Sequence, residues 1–410
     1  MKKTIIKEIF LDHWDRFKKL YRGKIRKNVI VEVEKMMNCG SLNNGFIEFI
    51  CEACGKTKRL GFTCKSRFCN SCGKVRVDNW TEDLIAKLIN TPHRHMVFTI
   101  PKELREYFRA DRRLLSLLPQ CATEAISSWY LERSKKEKFT PGIVAVIHTF
   151  GRDLKWNPHV HLLVTEGASG NITAWKKFNF MPFAMLRNRW QKLILDKLGN
   201  NLKNGIKEYK RLKNQLYSVL TKGFYVYAKG LITSTKIVAR YVGRYAARPV
   251  IAQSRIISYD GRTVRFYYER HEDGKRIEVE LDAIDFIKKL IIHIPEKHFR
   301  MIRYYGIYSS NNKCENKFFK LINEKVAEEL KKLRKWEYRI LKYFGIDPLK
   351  CEKCKKYMVI NRIYHPKYGD IRDYYYNKIK DEVKQKINEI KEMHAAVKRA
   401  TCGKIEPVFK

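Results

Sequence analysis

Two closely spaced pairs of cysteines constrain this chain more than any other feature. The stretch CEACGKTKRLGFTCKSRFCNSCG contains Cys51-x2-Cys54 and, fourteen residues later, Cys69-x2-Cys72. It shows little apolar periodicity, so a metal is expected to hold it together. Two CxxC pairs at this separation are typical of a zinc ribbon, in which each pair gives two thiolates to a tetrahedral Zn²⁺. We therefore predict a structural zinc at these four residues, and Cys64 could replace one of them.

A further pair, Cys351-x2-Cys354, is half of a possible second zinc site. His365 or Cys402 could complete it, but the spacing selects neither. The chain has eleven cysteines in 410 residues, and their clustering favours metal binding over disulfides in a reducing compartment.

The charge balance points to an anionic partner. Lysine and arginine number 85 against 43 acidic residues, a formal net charge of +42. Nucleic acid is the expected partner of such a chain, with an anionic membrane surface or a merely highly charged soluble surface as alternatives. No stretch approaches the roughly 18 apolar residues of a membrane span, and the start MKKTIIKEIFLDHW does not resemble a secretory signal. We expect a cytoplasmic protein on or near a prokaryotic nucleoid.

The periodicity of apolar residues predicts an α+β chain with antiparallel strands. A hairpin is expected from 143–149 and 159–165, and a three-stranded meander over 253–282 with turns at Asp260-Gly261 and Asp273-Gly274. Helical spacing is predicted for the following ranges: 1 to about 50, 102–138, 175–220, 234–247 and much of the C-terminal third.

The stretch GRDLKWNPHVHLLVTEG places two histidines on the second strand of that hairpin. Alternate residues of a strand point to the same face, so His159 and His161 project side by side while the residues between and after them face a core. Two imidazoles in this arrangement suit one divalent metal. His148 on the paired strand and Asp153 in the turn are candidates for a third ligand. The alternative is that both are ordinary strand histidines.

A second group of residues suits phosphodiester chemistry. In IVARYVGRYAAR, Tyr241 and Tyr245 lie one helical turn apart, and Arg244 and Arg248 form a parallel pair beside them. An amphipathic helix that packs two aromatic rings in a core would show the same spacing. In a very basic protein, however, tyrosine hydroxyls can attack a phosphodiester covalently while arginines hold the phosphate and a metal polarises it.

Together, HxH and a downstream YxxxY helix resemble the HUH single-strand nucleases of the two-tyrosine type. Longer strings are similar to the transposases of the insertion sequence 91 family, from about residue 15 to about residue 360: HTFGRDLKWNPHVHLLVTEG, ARYVGRYAARPVIAQSRI and HFRMIRYYGIYSSNNK. The upstream cysteine pairs resemble that family's N-terminal zinc-binding domain, and DPLKCEKCKKYMVI resembles its C-terminal CxxC. The chain departs from the family pattern at Asn70, where proline is usual, and at Ala246-Ala247, where Thr-His is common.

The resemblance implies a fold, a set of regions and an activity. The fold would be an HUH-type central antiparallel sheet flanked by helices, with an N-terminal zinc ribbon and a helical C-terminal region. The regions would be 1–90 (helical and zinc-binding), 91–290 (HUH nuclease and transposase) and 291–410 (basic and helical, with CxxC). The activity would be rolling-circle transposition of DNA.

In that activity His159 and His161 would bind Mg²⁺ or Mn²⁺, and Tyr241 and Tyr245 would be the nucleophiles that form 5′-phosphotyrosine. The partner would be single-stranded DNA at the transposon ends and at the target, and an oligomer is compatible with the family. Two alternatives remain at this point: a plasmid replication initiator or relaxase with the same chemistry, and a non-catalytic zinc protein that binds nucleic acid.

Overall fold

The computed structural model describes residues 4–178, 181–228, 250–270, 272–311 and 347–371, with residues 325, 328 and 385. The chain divides into two compact units. The first comprises Met1–Met37 and Lys65–Arg334, and the second comprises Asn38–Cys64 and Lys335–Lys410. This division by packing does not follow the predicted boundaries after residues 90 and 290, which stay a prediction about functional regions.

The described helices, numbered along the chain, are α1 (Ile5–Leu20), α2 (Lys27–Met37), α3 (Asn70–Lys87), α4 (Arg105–Ala110), α5 (Leu117–Leu131), α6 (Phe183–Asn201), α7 (Ile206–Val219) and α8 (Ala283–Ile291). The described strands are β1 (Phe46–Ile50), β2 (Thr57–Gly61), β3 (His93–Thr99), β4 (Thr140–Phe150), β5 (Trp156–Ser169), β6 (Val226–Ala228), β7 (Ile256–Tyr259), β8 (Thr263–Glu269), β9 (Arg276–Asp282), β10 (Ile302–Gly306), β11 (Val359–His365) and β12 (Gly369–Asp370). Within the described ranges, no helix combines the length and the apolar character needed to cross a membrane.

Local signals account for the first helix. The hydroxyl of Thr4 caps α1 by accepting a hydrogen bond from the amide of Lys7 at 3.3 Å. The side chains that α1 buries recur at helical spacing, and they are Ile6, Ile9, Phe10, Trp14 and Phe17.

A five-stranded antiparallel sheet forms the centre of the first unit, in the order β10-β4-β5-β3-β6. One face carries the main core, in which residues such as Ile147 and Leu162 pack with side chains of α5 and α6. On the other face α3 packs against residues such as Val144 and Leu163. The predicted α+β class, with an antiparallel sheet flanked by helices, is confirmed.

The predicted meander is also present in the first unit, as a three-stranded sheet in the order β7-β8-β9. Its first turn is built by Asp260, whose carboxylate accepts the amides of Arg262 and Thr263 at 2.8 and 2.6 Å. Gly261 follows with φ +93°, a conformation that glycine adopts at little cost. Phe266 of β8 and Phe286 of α8 pack in a tilted arrangement with ring centroids 5.5 Å apart, so α8 covers this sheet.

The second unit contains a four-stranded sheet in the order β12-β11-β1-β2. The prediction that the first 50 residues are helical is therefore wrong at its end, because β1 begins at Phe46. Its neighbours are β2, which follows directly, and β11, whose residues Val359–His365 lie about three hundred positions later in the chain. A local periodicity cannot reveal a partner at that distance along the sequence.

Candidate functional site

The hairpin of β4 and β5 brings three histidines to one place on the central sheet. His148 lies directly opposite His159 in the register of the two strands. His159 and His161 share one face because side chains alternate along a strand, while Val160 and Leu162 are buried in the main core on the other face. The predicted hairpin is confirmed, and it brings His148 to the histidine pair.

The ring nitrogens of this cluster converge. One nitrogen from each of His148, His159 and His161 lies within 4.8 Å of the other two. The Nε2 atoms of His159 and His161 are 3.0 Å apart, and the ring centroids of His148 and His161 are 4.3 Å apart. All three side chains are buried. A cluster of this size matches the space around one metal ion.

A backbone contact orients the ring of His159. Its Nδ1 lies 2.6 Å from the carbonyl oxygen of Asn157. A carbonyl only accepts hydrogen bonds, so Nδ1 carries the proton in this contact. In the neutral ring the lone pair of Nε2 then points into the cluster, which is the form that binds a metal.

A fourth histidine supports the cluster from the neighbouring strand. His95 on β3 lies opposite Leu163 of β5, and its Nε2 is 2.9 Å from Nδ1 of His161. This contact directs Nε2 of His161 toward the cluster, as an outer hydrogen bond does for a metal-binding histidine. His95 was not predicted from the sequence. The signal was present, because His93 and His95 alternate in a strand-like run.

Burial keeps the imidazole rings of His159 and His161 neutral. It lowers the pKa of His159 to about 4, and the positive charge of Arg105 lowers it further. Burial also lowers the pKa of His161 well below its usual 6.5, with added repulsion from the neighbouring imidazoles of His148, His159 and His95. At neutral pH His159 and His161 therefore offer uncharged nitrogen donors, the form that binds a divalent cation.

Asp153, the other candidate for a third ligand, is placed differently. It lies in the turn between β4 and β5, where one carboxylate oxygen accepts the amide of Lys155 at 3.2 Å and the other is 3.3 Å from the ammonium of the same residue. The group of potential ligands formed by the described residues includes His148 and does not include Asp153.

The predicted nucleophiles lie outside the described residues. Tyr241, Tyr245, Arg244 and Arg248 all fall within 229–249. Their roles as nucleophiles and phosphate ligands stay predictions.

Four cysteines of the second unit form another group of potential metal ligands. The Sγ atoms of Cys51, Cys54, Cys351 and Cys354 all lie within 4.8 Å of one another. The structure thus completes the C-terminal pair with the first N-terminal pair. His365 is not a member of this group, and its Nδ1 accepts the amide of Lys367 at 3.1 Å. Cys402 lies outside the described residues.

The predicted set of four zinc ligands is therefore divided. Cys69 and Cys72 belong to the first unit, where Cys69 caps α3 and its carbonyl accepts the amide of Gly73 at 2.7 Å. Cys64 belongs to the second unit, where its amide donates to the sulfur of Cys39 at 3.4 Å. The expectation of one ribbon needs this correction because β11 supplies the partner of the first knuckle from the far end of the chain.

Comparison with known proteins covers most of the chain. A family profile described as "Putative transposase" matches residues 142–317, and one described as "Transposase zinc-binding domain" matches residues 9–100. The transposase for insertion sequence element IS801 of Pseudomonas savastanoi pv. phaseolicola is 32% identical over 354 residues, which are 83% of this chain and 85% of that protein. The putative transposase y4qJ of Sinorhizobium fredii (strain NBRC 101917 / NGR234) is 28% identical over 272 residues, which are 62% of this chain and 68% of that protein. No solved structure matches with significance.

Proposed function

Because this chain belongs to the insertion sequence 91 family of transposases, we propose that it nicks and rejoins single-stranded DNA through 5′-phosphotyrosine intermediates in rolling-circle transposition. The observation that carries this proposal is the convergence of ring nitrogens from His148, His159 and His161 on one buried point of the central sheet. The histidine cluster lies within the segment matched by the transposase profile.

The donor set fits a divalent cation. Three imidazoles can hold one ion and leave positions open for an oxygen of the substrate. Of the two predicted ions, Mn²⁺ suits nitrogen donors better than Mg²⁺, which prefers oxygen ligands. When bound, the ion would polarise the scissile phosphate. The contacts of His159 with Asn157 and of His161 with His95 hold the rings in the metal-binding orientation.

The covalent step is assigned to Tyr241 and Tyr245. The phenolic oxygen of one tyrosine attacks the phosphorus, and the bond from phosphorus to the 3′ oxygen breaks. The phenolic proton is released, the leaving oxygen takes up a proton, and the products are a 5′-phosphotyrosine and a free 3′-hydroxyl. The ester energy is kept in the phosphotyrosine, so rejoining by attack of a 3′-hydroxyl needs no nucleotide. A second tyrosine one turn away can cut another strand while the first is occupied.

Positive charge near the cluster suits a phosphate. Arg244 and Arg248 are the predicted phosphate ligands of the tyrosine helix. Among the described residues, Arg105 is near enough to His159 to lower its pKa by repulsion. An incoming phosphodiester would offset this positive charge.

The partner we propose is single-stranded DNA at the transposon ends and at the target, which the net charge of +42 favours. The reaction would take place in the cytoplasm on the nucleoid. Membership of a transposase family favours this function over a plasmid initiator or relaxase. A convergent cluster of buried imidazoles favours it over a protein that only binds nucleic acid.

The test is a search for a covalent adduct. Purified protein is mixed with labelled single strands from the DNA that flanks its own gene, with Mn²⁺ or with EDTA, and denaturing gels reveal the product. We expect an adduct that requires metal, is lost in His161→Ala and in the Tyr241→Phe/Tyr245→Phe double variant, and is reduced but present in each single tyrosine variant. An adduct in the double variant would refute the tyrosine assignment. Strong binding without an adduct on any strand would favour the non-catalytic alternative.

A matched pair of variants tests the third ligand. His148→Ala removes a ring of the cluster and should abolish the adduct, whereas Asp153→Asn should retain it because that carboxylate pairs with Lys155. The reverse result would transfer the third-ligand role to Asp153.

A further inference from the structure

We propose that one zinc ion bound by Cys51, Cys54, Cys351 and Cys354 joins the N-terminal cysteine segment to the C-terminal one. The zinc-binding profile ends at residue 100 and the transposase profile at residue 317, so neither profile includes the C-terminal pair. The inference rests on the second unit alone and does not depend on the nuclease chemistry.

The two CxxC turns have the same backbone structure. In the first, the amide of Cys51 donates to the carbonyl of Lys56 at 2.9 Å, and in the second, the amide of Cys351 donates to the carbonyl of Lys356 at 2.8 Å. In each turn the residue after the second cysteine also donates its amide to the carbonyl of the first cysteine, at 2.8 and 3.0 Å. Two segments about three hundred residues apart thus form a matched pair of knuckles.

Backbone dihedral angles repeat the correspondence. The residue after each second cysteine has a left-handed conformation, with φ +70° at Gly55 and +62° at Lys355. Glycine adopts this conformation readily, but a lysine does so against a steric cost from its Cβ atom. A residue held in this region indicates that the surrounding structure determines its conformation. In the second knuckle, this turn directs Cys351 and Cys354 toward the first pair.

The spacing of the sulfurs fits a metal. Tetrahedral zinc with Zn–S bonds of about 2.3 Å places its sulfurs roughly 3.8 Å apart. Across the two knuckles, the Sγ atoms of Cys51 and Cys354 are 3.3 Å apart and those of Cys54 and Cys351 are 3.6 Å apart. Four sulfurs within 4.8 Å of one another therefore need only small adjustments to surround one ion.

The small apolar core of the second unit also favours a bound metal. Its core cluster holds the buried side chains of Phe49 and Met358 together with the cysteines, and a few partly buried apolar residues line it. Among the described residues this cluster holds few large apolar side chains, and a metal is a common way to stabilise so small a core. Ion pairs from Lys56 and Lys58 to Glu352, at 3.5 and 3.6 Å, add only modest attraction because the carboxylate of Glu352 is well exposed to water.

Strand pairing supports the same assignment independently of the sulfurs. β1 ends at Ile50, directly before the first knuckle, and Ile50 pairs with Val359 of β11. The sheet thus aligns the two knuckles from one side while the metal would join them from the other. On this proposal residues 65–334 of the first unit lie, in the sequence, between two halves of one zinc domain, and neither half can bind the ion with four thiolates by itself.

Zinc content measured on the full chain tests the proposal. Cys54→Ser and Cys354→Ser should each contain one zinc less than wild type, and the double variant should lose no more than either single variant, because both cysteines serve one ion. His365→Gln and Cys402→Ser are matched controls that should keep the full zinc content. Loss of two zinc ions in the double variant, or of none in either single variant, would overturn the proposal.

A measurement on the unmutated protein tests the same assignment without relying on cysteine variants, which could fail to fold. The protein is treated with a zinc chelator and then with diamide, digested, and analysed by mass spectrometry for disulfide-linked peptides. We expect links that join Cys51 or Cys54 to Cys351 or Cys354, and zinc added back before the oxidant should suppress them. Links that join the N-terminal pair only to other N-terminal cysteines would contradict the assignment.

Discussion

His93 offers a quantitative test of the packing in the first unit. This histidine on β3 is completely buried, with its Nδ1 2.8 Å from the carbonyl of Thr91 and its Nε2 2.6 Å from the hydroxyl of Tyr308. The Tyr308 hydroxyl also accepts the amide of Ile89 at 3.3 Å. Nδ1 therefore donates to the carbonyl and Nε2 accepts from the hydroxyl, which is the pattern of a neutral imidazole.

The lowered pKa of His93 determines how the free energy of unfolding changes with pH. Burial lowers the pKa of His93 from 6.5 to about 4. Between these values the unfolded chain binds a proton that the folded chain does not, so stability is complete above pH 6.5 and falls as the pH drops toward 4. At 1.36 kcal/mol for each unit, the full loss is about 3 kcal/mol, of which about 2 kcal/mol has occurred at pH 5.

The perturbation is His93→Gln, which removes the titrating group. Urea unfolding at pH 7 and pH 5 can be followed by tryptophan fluorescence, because six of the seven tryptophans belong to the first unit. We expect the drop in unfolding free energy between the two pH values to be smaller in the variant than in wild type by about 2 kcal/mol. The exposed His298 gives the control, and His298→Gln should leave the drop unchanged. An equal drop in His93→Gln and wild type would refute the assignment of a buried, neutral His93.

Two further predictions concern packing and backbone conformation. Leu162→Ala, at a fully buried position of the main core, should lower the unfolding free energy by about 2 to 5 kcal/mol in urea titrations; a loss below about 1 kcal/mol would mean that the site is loosely packed. Lys355→Gly should slow zinc release to a chelator, because it relieves a left-handed φ of +62°. Gly55→Ala should speed zinc release, because it forces alanine into a left-handed φ of +70°; the added Cβ itself has no atom within 4 Å. Opposite changes in the two release rates would show that these backbone angles do not determine how tightly the two CxxC knuckles hold zinc.

The histidine pair was predictable because its signal is local. Alternation along a strand placed His159 and His161 on one face, and the short connection to β4 made an antiparallel hairpin with His148 nearby the simplest pairing. Register and burial required the folded chain. The pairing of β4 with β5 puts His148 opposite His159, and Asp153 turns instead to Lys155.

His95 shows the limit of the same reasoning. Nothing in its own strand indicates that it contacts His161, because that contact exists only through the pairing of β3 with β5. Two strands separated by the helices α4 and α5 become neighbours by packing on a common core, and this is a property of the whole unit.

The cysteines show most clearly the difference between local sequence signals and long-range contacts. Amino-acid types and their spacing were sufficient to predict CxxC knuckles, a structural zinc, a nucleic-acid partner for this basic chain and an α+β fold. Each of these depends on composition or on residues that are neighbours in the chain. Which knuckles share a metal depends on long-range pairing. β1 pairs with β11 about three hundred residues later, so Cys51 and Cys54 meet Cys351 and Cys354 in the second unit. Cys69 and Cys72 instead lie at the start of α3 in the first unit. Contacts between residues so far apart in the sequence are stabilised by the folded sheet and its core, and no local sequence pattern encodes them.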